Sequence, residues 1–169
     1  MKKLLFTFLL LGLGLSLAAQ VRTYSDNASG TFVVGLDSYY YGSSGSLDFK
    51  AGGRSVHATL EGGTVTVDGS VLSESDADTV IGIHDFTGDR EPELVVARRS
   101  SQAVRAAVYT LDGGKWKQIG QMIASDAPEI RVFRQVVSIR RGDALYSWTW
   151  HESSFDFKAS DGSKEPTAQ

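Results

Sequence analysis

The sequence predicts an all-β protein: an antiparallel β-sandwich, or a small propeller-like or barrel assembly, of about ten short strands. Three observations carry that expectation. Glycine pairs at Gly52-Gly53, Gly62-Gly63 and Gly113-Gly114 stand between stretches rich in Val, Thr, Tyr and Phe, as hairpin turns do. Around the first two pairs apolar and polar residues alternate: Val56, Ala58 and Leu60 with His57 and Thr59, then Val65 and Val67 with Thr64, Thr66 and Asp68. Period two with a polar outer face is the mark of half-buried antiparallel strands. No segment holds an apolar stripe of 3.6-residue period, so helix is minor, one turn around Ser73 to Asp78 at most.

Taken in order, the chain opens on a segment that is not part of the fold. Lys2 and Lys3 precede an apolar run from Leu4 to Leu17, and Ser16, Ala18 and Ala19 supply small residues for cleavage, which predicts a signal peptide over residues 1–19. The run is short of the ~20 apolar residues of a membrane span, and no later stretch approaches that length. The expected location is outside the cytoplasm, periplasmic or extracellular. Strands are then expected at Thr31 to Gly35, Ser46 to Lys50, the alternating segments around residues 56–68, Thr79 to His84, Glu93 to Arg98, Val104 to Leu111, Trp116 to Met122, Ile130 to Arg140, Leu145 to His151 and Phe155 to Lys158. Together they make one β-domain over residues 20–160. Asp161 to Gln169 is polar and is expected to be a disordered tail.

Composition excludes several classes. The 169 residues contain no cysteine, which removes thiol nucleophiles, redox pairs and iron–sulfur ligands. Net charge is −3 for the whole chain and becomes −5 once Lys2 and Lys3 are cleaved off, against the basic balance that general nucleic-acid binding needs. The charge is also local. Residues 85–93 carry four acids and one arginine, whereas residues 94–141 carry nine bases and three acids, chiefly Arg98, Arg99, Arg105, Arg131, Arg134, Arg140 and Arg141. These arginines either protect the solvent faces and edges of strands or form a basic face for an anionic partner.

The segment with chemistry in it is residues 84–96, HDFTGDREPELVV. Asp85, Thr87, Asp89 and Glu93 fall at positions 1, 3, 5 and 9, with Gly88 permitting a tight turn and the Glu91 carbonyl at position 7. Calcium takes six to eight oxygen ligands at about 2.3–2.6 Å, and a short loop alternating ligands with turn residues can wrap one ion. Ile81 and Ile83 before the loop and Leu94, Val95 and Val96 after it make it a connection between two buried strands.

DFTGDREPELVV resembles the calcium loop of the FG-GAP and VCBS repeats, the integrin-type propeller-blade motif, written D-x-(D/N)-G-D-G-x-x-(D/E) before a short apolar strand. The resemblance implies side-chain ligands Asp85, Asp89 and Glu93 with Thr87 at the third position. VYTLDGGKWKQIG, from Val108 to Gly120, is similar to the outer hairpin of such a unit, so the likeness spans residues 79–121, about a third of the mature chain. Two positions depart from the pattern. Thr87 offers a neutral hydroxyl where Asp or Asn is usual, and Arg90 puts a positive charge where glycine is usual; both weaken calcium. The N-terminal half holds no second copy, so a full propeller of that type is not expected.

In layout the chain also resembles the periplasmic inhibitors of invertebrate-type lysozyme and related immunity proteins against peptidoglycan-cutting effectors. Size, export signal and β content agree. Their Ser-Gly-x-Tyr inhibitory loop is only approximated by Ser29-Gly30-Thr31-Phe32 and Ser44-Gly45-Ser46-Leu47.

Hydrolase chemistry finds little support. His57, His84 and His151 are accompanied by no Gly-x-Ser-x-Gly elbow and no His-Glu-x-x-His pair, and His84 and Asp85, as strand neighbours, point to opposite faces. Aromatic groups are more telling. Tyr146, Trp148 and Trp150 share one strand face, either as core or as a platform for a sugar ring. Tyr39, Tyr40 and Tyr41 lead into a Gly/Ser loop with Ser43 and Ser44, a rigid-ring and adaptable-backbone combination suited to protein binding. Because successive side chains alternate, at least one of the three rings faces outward unless a second layer covers it. The expectation is a non-enzymatic exported protein that binds a macromolecule, most concretely an inhibitor or immunity protein against a cell-wall lytic enzyme. A glycan-binding module using the Trp face is the alternative, and a hydrolase the third.

Overall fold

The computed structural model describes residues 21–26, 30–73, 79–99, 103–125, 129–133, 136–141, 143–151 and 154–159. The expected signal peptide and tail, Ser29, and residues 74–78 of the expected helical turn lie outside them. The described residues form fifteen strands and no helix. Twelve of these make three consecutive four-stranded meanders. The first is β4 (Ser44–Ala51), β5 (Arg54–Glu61), β6 (Thr64–Val67) and β7 (Ser70–Ser73). The second is β8 (Thr79–His84), β9 (Glu93–Arg99), β10 (Ala103–Asp112) and β11 (Lys115–Ser125). The third is β12 (Glu129–Phe133), β13 (Val136–Arg141), β14 (Ala144–His151) and β15 (Ser154–Ala159).

The remaining three strands are shared out between two of these sheets. β1 (Arg22–Asp26) and β2 (Gly30–Gly35) form a hairpin that joins the third meander, with β2 parallel to β12. β3 (Ser38–Gly42) pairs antiparallel with β8 and becomes an edge of the second. Among the described residues no sheet closes on itself, so the fold is sandwich-like and not a closed barrel.

Two cores separate three layers. The first is built from Val34, Ile130, Val132, Val137 and Trp148 of the six-stranded sheet, facing Val80, Val95, Ala97, Ala106 and Val108 of the middle sheet. The second sets Leu47, Phe49, Val56, Leu60, Val65 and Val67 of the four-stranded sheet against Ile81, Leu94, Val96 and Tyr109. The central strands β8 and β9 therefore have no solvent face. Along β9, Leu94 and Val96 enter one core and Val95 and Ala97 the other, which is why β8 and β9 are near-continuous apolar runs while β4 and β5 alternate. Each buried Val, Leu, Ile or Phe among them contributes roughly 1.5–3 kcal/mol. Arg98, only 6% exposed, reaches from β9 under the first meander and donates from Nη2 to the Gly63 carbonyl at 2.8 Å.

The expected hairpins are present. Gly52-Gly53, Gly62-Gly63 and Gly113-Gly114 all have positive φ and are flanked by the pairs Ala51 with Arg54, Glu61 with Thr64 and Asp112 with Lys115. Two central residues at positive φ make type I′ turns, whose twist matches that of the strands. Asp68-Gly69 makes a fourth, with φ of 48° and 79° between Val67 and Ser70. That turn creates β7, which the sequence reading did not anticipate. β1 and β3 were also not expected, and the single strand expected at Ile130 to Arg140 is two, with Phe133 opposite Val136. No Gly or Pro marks that reversal in the sequence.

Candidate functional site

The acidic loop joins β8 to β9 inside the middle sheet. Phe86, 1% exposed, drops into the first core and fixes the loop from below. Glu93 opens β9 and is fully buried; its Oε2 accepts from the Phe86 and Thr87 amides at 2.8 and 3.2 Å, and its Oε1 from the Thr87 hydroxyl at 3.2 Å. Asp85 accepts from the Gly88 amide at 2.6 Å and the Arg90 amide at 3.0 Å, and Asp89 from the Glu91 amide at 2.8 Å. Glu91 reaches across to the β4–β5 turn and accepts from the Gly52 amide at 2.8 Å. Burial pushes the Glu93 carboxyl above its usual range, opposed by the hydrogen bonds from Phe86 and Thr87. Arg90 stands at a φ of 75°, the left-handed conformation that the usual glycine would accept more easily.

These residues do not fit calcium as arranged. Among the described residues no three His, Cys, Asp or Glu side chains converge as a metal ion requires, and the carboxylates of Asp85, Asp89, Glu91 and Glu93 are each turned onto amide N–H groups. The loop is brought together as the motif suggested, but its oxygens face hydrogen-bond donors.

The tyrosines lie on β3, the edge strand of the middle sheet that pairs with β8. Tyr39 and Tyr41 pack against the first core and Tyr40 against the second, so all three are half-buried. The outward ring expected of a two-faced strand is absent because β3 is covered on both sides. Tyr40 folds back over Gly45, where a Cβ would collide with its ring, and its hydroxyl donates to the Ser44 carbonyl. That contact fixes the turn bearing exposed Ser43 and Ser44.

Tyr24 of β1, which the sequence reading did not single out, completes the group. Its hydroxyl lies 3.1 Å from that of Tyr39, and its ring lies 4.4 Å from Tyr41. Where the edges of the two sheets meet, Arg22, Tyr24, Asp37, Ser38, Tyr39 and Tyr41 line a depression of about 460 Å³. Burial, and then the hydrogen bond with Tyr24, push the Tyr39 phenol up to about 12, so it stays neutral. Asp37 at the rim also accepts from His84 Nδ1 at 2.8 Å, so His84 is engaged away from Asp85, as strand geometry required. His57 likewise pairs with Asp48, at 2.6 Å.

The aromatic face of β14 is turned inward. Trp148 is 4% exposed within the first core, Tyr146 packs against that core, and Trp150 is half-buried. Of the arginines with described side chains, Arg98 is buried, Arg131 pairs with Glu129 on its own strand, and Arg105 is exposed. The side chains of Arg99, Arg134, Arg140 and Arg141 lie outside the described ones.

No protein family, curated protein or solved structure matches the chain.

Proposed function

We propose that this is an exported, non-enzymatic protein that binds another protein at the margin where β1 and β3 meet, most concretely as an inhibitor or immunity protein of a cell-wall lytic enzyme. The observation that carries the reading is the tyrosine-lined depression with Arg22 and Asp37 at its rim, beside the fixed Ser43–Ser44 turn. Tyrosines lose little conformational entropy on binding and offer both an apolar ring and a hydroxyl. A guanidinium and a carboxylate on the rim supply charge complementarity in both senses. Export rests on the Lys2-Lys3 and Leu4 to Leu17 pattern. The inhibitor class rests on the resemblance in size, export signal and β content.

The glycan-platform alternative loses its central ring, since Trp148 is core. The test is capture from an envelope extract with the mature chain as bait, beside Arg22→Glu, and assay of the captured enzyme. A peptidoglycan-cutting enzyme held and inhibited by the wild type, and at least about tenfold more weakly by Arg22→Glu, is the expected result. Retention on insoluble polysaccharide alone would overturn it.

A further inference from the structure

We infer that the β8–β9 loop is a calcium-independent form of the acidic loop it resembles, closed on the carboxylates of its own side chains instead of on a cation. The donor set decides this. Within residues 86–91, the amides of Phe86, Thr87, Gly88, Arg90 and Glu91 all donate to carboxylates of the same loop. A cation site requires carbonyl and carboxylate oxygens turned toward a common centre. Here the backbone turns N–H groups toward Glu93 and Asp85, which is the arrangement of an anion nest.

The two departures from the motif fit the same account. Thr87, in place of a ligand carboxylate, donates its hydroxyl to Glu93 Oε1, a role that an ionised Asp could not fill. Arg90 brings its own positive charge into a segment with four acids, lowering the repulsion that a bound ion would otherwise relieve. Glu91 extends the device beyond the loop. Its bond to the Gly52 amide ties the middle sheet to the first hairpin of the neighbouring sheet, so the loop serves as a clamp between layers. The inference is independent of the partner-binding proposal.

Thermal unfolding of the mature chain in excess calcium and in excess chelator, for the wild type and for Glu93→Gln, tests it. The wild type is expected to melt within about 1 °C in the two conditions. A site that held calcium at a hundredfold excess over its dissociation constant would raise the midpoint by roughly 5–10 °C. Glu93→Gln keeps one oxygen for the Phe86 and Thr87 amides but removes the charge and the acceptor of the Thr87 hydroxyl, so whatever change it makes in the midpoint is expected to be the same in both conditions. A calcium-dependent rise in the wild type, or a deficit in Glu93→Gln that appears only with calcium, overturns the inference. Should Glu93→Gln fail to fold, the wild-type comparison together with Asp89→Ala decides: a calcium response lost in Asp89→Ala contradicts the proposal, and none in either supports it.

Discussion

Tyr39 shows how one side chain carries both packing and chemistry. Its hydroxyl meets that of Tyr24 across two sheets, and burial keeps the phenol neutral to about 12. In the unfolded chain the same group ionises near about 10. Between those values the unfolded state has lost a proton that the folded state keeps, so stability falls as pH rises from 10 toward 12. Denaturant unfolding across that range is expected to show the decline, and Tyr39→Phe is expected to flatten it. A wild-type profile equal to that of Tyr39→Phe would mean that the phenol is not held as described. Tyr24 was not legible as a member of this group, because its place depends on β2 pairing parallel with β12, about a hundred residues away in sequence. Glu93 was legible as a loop acid but not as a hydrogen-bond acceptor, since spacing fixes which residues share a loop and not whether N–H or C=O groups face them. Trp148 was legible as sharing a face with Tyr146 and Trp150, but that spacing suits a core and a sugar platform equally, and only the covering sheet decides for the core.

Hairpins show the element scale most plainly. The three glycine pairs announced their turns because both central positions need positive φ, which glycine adopts without penalty. Asp68-Gly69 announces its turn by the same rule, yet alternation from Val65 to Asp68 made the segment look like a strand running on. Asp68 holds its turn twice over, since its amide donates to the His57 carbonyl at 3.2 Å and its carboxylate pairs with Arg54 at 2.8 Å. Asp68→Gly keeps the conformation and loses the exposed ion pair, a change of about 1 kcal/mol or less. Asp68→Val puts a β-branched residue at a φ of 48°. It is expected to cost roughly 1–2 kcal/mol, seen as a lower denaturation midpoint with an unchanged slope. Equal stability of the two variants would show that backbone conformation does not limit this hairpin. The tyrosine strand β3 was hidden for a different reason. Three successive large residues have no alternation to display when both faces of a strand are covered.

At the scale of the molecule, the middle sheet is the organising element. Its strands supply both cores, and β8 and β9 show no exposed position between Thr79 and Gly82 or between Glu93 and Arg98. Amide hydrogens of these two strands are therefore expected to exchange only by global opening, while those of β7 and β15, edges of the outer sheets, exchange by local fraying. Comparable protection in β7 and β9 would contradict the layered arrangement. The same architecture leaves the meeting of β1 and β3 as a place where aromatic, cationic and anionic side chains reach the surface together. Hydrogen exchange of the mature chain with and without its captured partner tests that assignment most directly. New protection is expected at residues 22–24 and 37–44, with little change in β14 or the β8–β9 loop. Protection confined to β14 or to residues 85–93, with residues 22–24 and 37–44 unchanged, would contradict it.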